Sequence, residues 1–303
     1  MLPEIPVNSN DFPSSAHITS SSLLVPTIRA WRFFLEDQAV SPHTVKAFTS
    51  DMFLLSIYLP ADRAIGSITT VDLQNFLEWL QKGRGVPCSP KTLARRITSI
   101  KAFFRWLTQF GAVLINPSEK IPQRTVISPL ATVLTEEEIE AVYQVAQKYR
   151  SAEKADARPY TLLALLLETG IKKGECLALT LNHLDFASTE GAEIFIRYTN
   201  PQNRFKERKI DLSQSWIEAY QEYCTQYELT DRLFPWSPRR LEYLLEDIGN
   251  EAGLEKHLSF DMCRWTCAVT DWRTGMDHTK IRQKMGVSKI QWREISMKLE
   301  QLA

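Results

Sequence analysis

A helical period that restarts behind one capping residue after another is the feature that most restricts how this chain can fold. Ser41 precedes Pro42, Thr69 and Thr70 precede Asp72, and Ser89 precedes Pro90. Each start supplies a side-chain oxygen for orphan backbone N–H groups, and a proline in the first turn already holds a helical φ. Four amphipathic helices are therefore expected, over about Ser22–Gln38, Pro42–Tyr58, Thr70–Lys82 and Pro90–Phe110. In the last of these, Leu93, Ile97, Ile100, Phe103, Phe104 and Leu107 share one face, while Lys91, Arg95, Arg96, Lys101 and Arg105 share the other. Such a basic face is either merely solvated or made to touch phosphate.

From Gly111 to Leu130 the period lapses, and Pro117, Pro122 and Pro129 mark a linker. It resumes at Leu134-Thr-Glu-Glu-Glu-Ile, where Thr135 and Glu138 have capping-box spacing. Helices then run to about Leu179. Glu193-Ile-Phe-Ile-Arg-Tyr-Thr alternates like a strand, Asn200-Pro-Gln-Asn breaks it, and Phe205 to Leu212 reads as the returning strand of a hairpin. Helical spacing returns over Gln214–Gln226, Pro238–Gly253, Ser259–Thr274, Thr279–Lys284 and Ser288–Leu302. The expected fold is mainly α. A Ser/Pro-rich, disordered leader (1–21) precedes a four-helix domain (22–111), a linker (112–133), and a mostly helical domain with a small antiparallel sheet (134–303).

At 303 residues the chain can hold two such domains, each able to bury a core without staples. Its longest apolar runs, such as Tyr160 to Leu167, fall far short of the roughly 20 residues a membrane span needs. The N-terminus lacks a basic segment followed by an apolar one, so a cytoplasmic protein is expected, nucleoid-associated if bacterial, with no membrane partner. Five scattered cysteines argue against a disulfide framework. Cys263 and Cys267 lie near His257, but no second ligand pair with zinc-like spacing follows; no metal and no cofactor are expected. Net charge is zero, yet the first 125 residues carry 13 Lys/Arg against 9 Asp/Glu, and the rest 23 against 27. A mildly basic lobe thus precedes a mildly acidic one, which is weak support for a nucleic-acid partner.

The order of elements and several local strings resemble the tyrosine recombinase (phage integrase) family, in its Xer-like form. Trp31-Arg-Phe-Phe-Leu followed by Ser41-Pro-His-Thr-Val-Lys46-Ala-Phe is similar to the family's first helix pair. Ser89-Pro-Lys-Thr-Leu-Ala-Arg-Arg-Ile-Thr-Ser-Ile-Lys-Ala-Phe-Phe-Arg-Trp-Leu resembles its fourth helix. Leu167-Glu-Thr-Gly-Ile-Lys-Lys-Gly-Glu-Cys-Leu-Ala-Leu resembles the stretch around the first catalytic arginine, Phe205-Lys-Glu-Arg-Lys-Ile-Asp-Leu the hairpin strand, and Leu258-Ser-Phe-Asp-Met-Cys-Arg-Trp-Thr-Cys-Ala the helix with a His-x-x-Arg pair.

The resemblance implies strand cleavage by a tyrosine that forms a covalent phosphotyrosyl intermediate, with fixed cations and donors around the phosphate stabilising the charge-rich transition state. Five of the six corresponding positions are changed. The first arginine falls on Lys172, which keeps the charge without the bidentate fork. The hairpin lysine falls on Asn203, with Arg204 or Lys206 as possible substitutes; the histidine of the pair falls on Asp261, which would repel phosphate. Arg264 is retained, the second imidazole falls on Val287, and the nucleophile falls on Ser296. An alkyl hydroxyl needs an adjacent base, yet no histidine lies beyond His278, and the last tyrosine is Tyr243.

Three readings follow. One is a catalytically silent member that binds double-stranded DNA as a regulator or architectural factor, through Thr44, Lys46, Lys91, Arg95, Arg96, Lys101, Lys172, Arg204, Lys206 and Arg264. Another is an active recombinase or nuclease using Ser296 or a partner's nucleophile. The third is a partner of active recombinase subunits without DNA binding of its own; homo-oligomers fit any of these. The blander alternatives are specific too. Arg264 could pair with Asp261 or a helix end, Lys172 and Lys173 could lie in a solvated loop, and Trp265 and Trp272 could be core. Trp292 could be core or an anchor for a neighbouring protomer.

Overall fold

A computed structural model describes residues 18–123, 126, 129–187 and 191–303 of the chain. Two compact units divide it between Ser128 and Pro129. Of the expected leader, residues 1–17 lie outside the described residues. Its end is packed, against the expectation of disorder: the Ser20 carbonyl, and that of Ser22 just beyond the leader, accept from the N–H groups of Gly66 and Ile65, both at 2.9 Å.

The first unit holds α1 (Leu24–Asp37), α2 (Pro42–Tyr58), α3 (Thr70–Glu78) and α4 (Pro90–Gln109). Helices α2 and α4 begin with the same Ser-Pro-x-Thr cap, Ser41 and Ser89 each accepting from the backbone N–H of the threonine three residues on, at 3.2 Å. At α3 the cap is reciprocal, between Thr69 and Asp72. The helices enclose Trp31, Met52, Phe76, Phe103 and Phe104, with Trp31 set edge-on to Phe103 at 5.1 Å. Where a continuous helix to Lys82 is expected, α3 widens after Glu78 into a π-type turn over Trp79–Gly83. That turn folds Gly83 onto Trp79, so closely that a Cβ at Gly83 would lie 2.7 Å from the indole.

The second unit is built around α6 (Arg158–Thr169), which packs against α5 (Glu136–Ser151), α8 (Gln214–Gln226), α9 (Pro238–Glu251) and α10 (Phe260–Arg273). Five consecutive residues, Leu162 to Leu166, are wholly buried, which explains why the Tyr160–Leu167 run shows no polar stripe. Gly170, at φ 58°, ends this helix. Helix α7 (Lys173–Ala178) follows, then an antiparallel sheet of β1 (Leu184–Asp185), β2 (Glu193–Ile196) and β3 (Arg208–Asp211), paired in that order. Ile194 opposes Ile210 and Ile196 opposes Arg208, so Arg208 points to the same buried side as the isoleucines. The hairpin differs from expectation at its tip. Pro201–Lys206 forms a 3-10 turn, because Asn200 caps it by accepting from Gln202 N–H at 2.9 Å; the returning strand starts at Arg208, not Phe205. Strand β1 is too short to show an alternation in sequence.

Helices α11 (His278–Lys284) and α12 (Lys289–Leu302) close the unit over Ala268, Val269, Ile281, Met285, Val287 and Leu299. Trp265, Trp272 and Trp292 pack against this cluster within their own chain. Arg273 donates to the Leu302 and Ala303 carbonyls at 3.1 and 3.3 Å. Among the described residues no helix is long and apolar enough to cross a membrane.

Candidate functional site

Three cations of the second unit converge on one turn. The last carbonyls of a helix have no partner within it, and Lys284, Met285 and Gly286 present theirs in succession at the end of α11. Arg208 donates from Nε to Lys284 O at 2.6 Å, Arg264 from Nη2 to Met285 O at 2.5 Å, and Lys172 from Nζ to Gly286 O at 2.8 Å. Arg264 also donates to Gly170 O, at the end of α6, at 2.5 Å. Of the alternatives for Arg264, the helix end is the one observed: the side chain is a buried strut between two helix termini.

One carboxylate balances the group. Glu175 receives Arg208 Nη1 at 3.1 Å and Nη2 at 2.8 Å, the Tyr198 hydroxyl, and the Lys172 backbone N–H at 2.8 Å; Lys172 Nζ lies 3.6 Å away. Burial opposes its charge, but the Arg208 hydrogen bonds and charge, joined by those of Tyr198 and Lys172, bring its pKa down to about 2. Lys172 moves down to about 8, first through burial and, against the pull of Glu175, through the nearby charges of Arg264, Arg208 and Lys206. Neither lysine of the pair lies free in a solvated loop: Lys173 Nζ meets Glu242 Oε1 at 2.5 Å.

The remaining residues that the resemblance singles out are held apart from this cluster or at its edge. Asn203 lies in the 3-10 turn and accepts from Lys206 Nζ at 2.7 Å, while that ammonium also sits over the rings of Tyr198 and Phe205 at 5.7 and 5.2 Å. Arg204 is exposed beside it. Asp261 is exposed in the first turn of α10 and shares an open depression of about 440 Å³ with Lys172, Lys173, Glu242, His257 and Arg264. Val287 is buried in apolar surroundings, and Ser296 donates its hydroxyl to Arg293 O, one turn back in α12, at 3.3 Å. Cys263 and Cys267 are buried, and burial pushes both thiols up to about 12. Among the described residues no three His, Cys, Asp or Glu side chains are grouped to hold a metal ion.

The basic face of the first unit is only partly a face. Lys46 and Lys91 are exposed, and Thr44 is held in its cap by Ser41 Oγ at 2.8 Å. Arg95 and Arg96 instead turn to Asp51 on α2, a buried carboxylate reached by Arg95 at 2.5 Å, by Arg96 at 3.5 Å and by the Ser99 hydroxyl at 2.7 Å. Arg96 is 12% exposed and belongs to the interior, against the expectation of a solvent-facing contact; Arg95 keeps 41%. Lys101 and Arg105 line a separate depression with Leu114 and Ile115.

Sequence reasoning passed over Arg208, Glu175, Gly286 and Asp51. The signals were present: Arg208 occupies an inward phase of its strand, Glu175 stands three residues after Lys172 at a helix start, and Asp51 sits beside Met52 in an apolar stripe.

Residues 132–295 match the model of the phage integrase family, and residues 28–111 match that of the phage integrase N-terminal SAM-like domain. A tyrosine recombinase XerC from Lacticaseibacillus casei (strain BL23) is 26% identical over 287 residues, spanning 88% of this chain and 92% of its own. A XerC from Roseiflexus sp. (strain RS-1) is 25% identical over 281 residues, spanning 87% and 86%. Among solved structures, XerH site-specific recombinase bound to difH substrate superposes with a TM-score of 0.66 at 19% identity, over 89% of this chain and 83% of that one. A lambda integrase dimer bound to a COC′ core site gives 0.69 at 15% identity, over 91% and 77%.

Proposed function

We propose, from the premise that this chain belongs to the phage integrase family, a tyrosine recombinase by descent, that it binds double-stranded DNA without cutting it and serves recombination as a regulator or architectural factor. The silence rests on the position where the resemblance expects the nucleophile, on which Ser296 falls; its hydroxyl is tied to Arg293 O at 3.3 Å. Two of the cations expected round a phosphate support the same reading, since Lys172 and Arg264 each donate to a carbonyl of the Lys284–Gly286 turn. Losing one oxyanion donor costs about 10²–10³ in rate; here several are lost together with the nucleophile.

DNA binding is carried over from relatives solved on DNA, XerH on difH and lambda integrase as a dimer on its core site. Residues 22–111 act as the main DNA-binding domain in this proposal, and residues 134–303 as a catalytic-type domain kept for binding. Thr44, Lys46, Lys91, Lys101 and the exposed part of Arg95 serve the first, and Arg204 and Lys206 the second. Arg96, Lys172 and Arg264 act from within, by holding those surfaces in place.

Anisotropy titrations of the full chain on random duplexes at several salt concentrations test the binding. Affinity should fall steeply with salt as phosphate counterions are released. Flat, negligible binding at low salt would overturn it. A nicked suicide duplex tests the silence: no covalent adduct should accumulate, and an adduct abolished by Ser296→Ala would refute the assignment.

A further inference from the structure

The tip of the β2–β3 hairpin joins three properties. Phe205 is 63% exposed there, a ring the fold leaves in water at a cost of about 25 cal/mol for each Å² of apolar surface. Cations flank it: Arg204 is exposed, and Lys206 Nζ lies 5.2 Å from the ring. The tip is also stiff. Pro201 fixes one φ, Asn203 N–H donates to Asn200 O and Glu207 N–H to Arg204 O, both at 2.9 Å, and Lys206 is tied to Asn203 at 2.7 Å. The one neighbouring acid among the described residues of the tip, Glu207, is turned back onto Tyr198 N–H at 2.9 Å, and the Tyr198 hydroxyl anchors the hairpin to Glu175 and through it to Arg208.

A rigid apolar ring between two cations matches a polyanion with an apolar interior. We infer that Phe205 is a wedge that enters between adjacent base pairs of duplex DNA, with Arg204 and Lys206 on the flanking phosphates. Wedges of this kind unstack a base step and kink the duplex. The inference rests on the DNA-binding reading, and it commits to DNA because the tip offers positive charge and, among its described residues, no exposed acid.

The test uses the full chain, Phe205→Ala and Phe205→Leu, after thermal melts confirm that all three fold. Each is titrated at several salt concentrations onto a matched duplex and onto one with a central mismatch, where unstacking is cheaper. Wild type should prefer the mismatched duplex and, in a topoisomerase relaxation assay, change plasmid linking number. Phe205→Ala should bind about tenfold more weakly, the loss typical of one ring–base contact, with its salt slope unchanged. It should also lose both the mismatch preference and the linking change, while Phe205→Leu keeps part of each. DNA binding by Phe205→Ala equal to wild type, with the mismatch preference intact, overturns the wedge and leaves the DNA-binding reading standing. A change in self-association alone, seen by sedimentation, also overturns it and makes the ring a protein contact. Wild type that binds no duplex at any salt fails the DNA-binding reading itself.

Discussion

Replacing Glu175 by glutamine should loosen the second unit without changing its shape. The side chain is 4% exposed and faces Arg208, 6% exposed, so neither charge has water to fall back on. The carboxyl sits at about 2 against an ordinary value of 4.5, and at 1.36 kcal/mol per pH unit this corresponds to about 3 kcal/mol of stability at neutral pH. Removing one partner of a buried pair independently suggests about 3–5 kcal/mol, because Arg208 would keep an uncompensated charge. For a unit of this size the two figures translate into a melting-temperature drop of about 10 °C. The pH dependence gives the signature. A depressed carboxyl stabilises above its unfolded value and loses that contribution as pH falls through its folded one. Wild type should therefore lose this increment between pH 4.5 and about 2, while Glu175→Gln has none to lose. Melts followed by circular dichroism from pH 7 to pH 2 should show the gap between the two closing at the acid end. A drop under about 2 °C at pH 7, or a gap that stays constant with pH, would refute the reasoning. Glu175→Gln with Arg208→Met should cost less than the sum of the two single changes, as neither charge is then left alone.

Gly286→Ala should cost about 2–3 kcal/mol in urea unfolding: φ is 56° there, and the new Cβ would fall 2.6 Å from Arg208 Nη1. Lys172 has a lowered pKa, so folding favours its neutral form. Its penalty is complete below about 8 and should lift as pH rises toward 10.5, visible as a stability gain that Lys172→Met lacks. Lys46→Ala and Lys91→Ala should each reduce the slope of log Kd against log salt by about 1 with little change in stability. Arg96→Ala should do the reverse, lowering the first unit's melting temperature and leaving the salt slope alone, since Arg96 faces Asp51 from within.

Cap spacing located the starts of α2, α3, α4 and α5 to within a residue or two, because caps are local: Ser41, Ser89 and Thr135 act on N–H groups three residues away. What the sequence did not disclose is long-range pairing. Arg95 and Arg96 read as surface charge because their helical phase is polar, and only the packing of α2 against α4 brings Asp51 beneath them. The Lys284–Gly286 turn was equally invisible, since its part is played by backbone carbonyls, which every residue has. At the hairpin tip, Phe205 looked like the first residue of a strand; a proline and an asparagine cap four and five residues earlier made it the corner of a 3-10 turn.

The cation cluster also bears on what Arg264 and Lys172 can say about chemistry. Arg264 bridges the ends of α6 and α11 with two nitrogens on two carbonyls, a task that needs a planar fork; lysine could reach only one of them. At position 172 one carbonyl is served, and lysine suffices. The demand of the fold on each position thus matches the residue found there without reference to a phosphate. Lys172→Arg would therefore offer one donor to Gly286 O and leave the rest of its fork to the open depression that Lys172, Asp261 and Arg264 line.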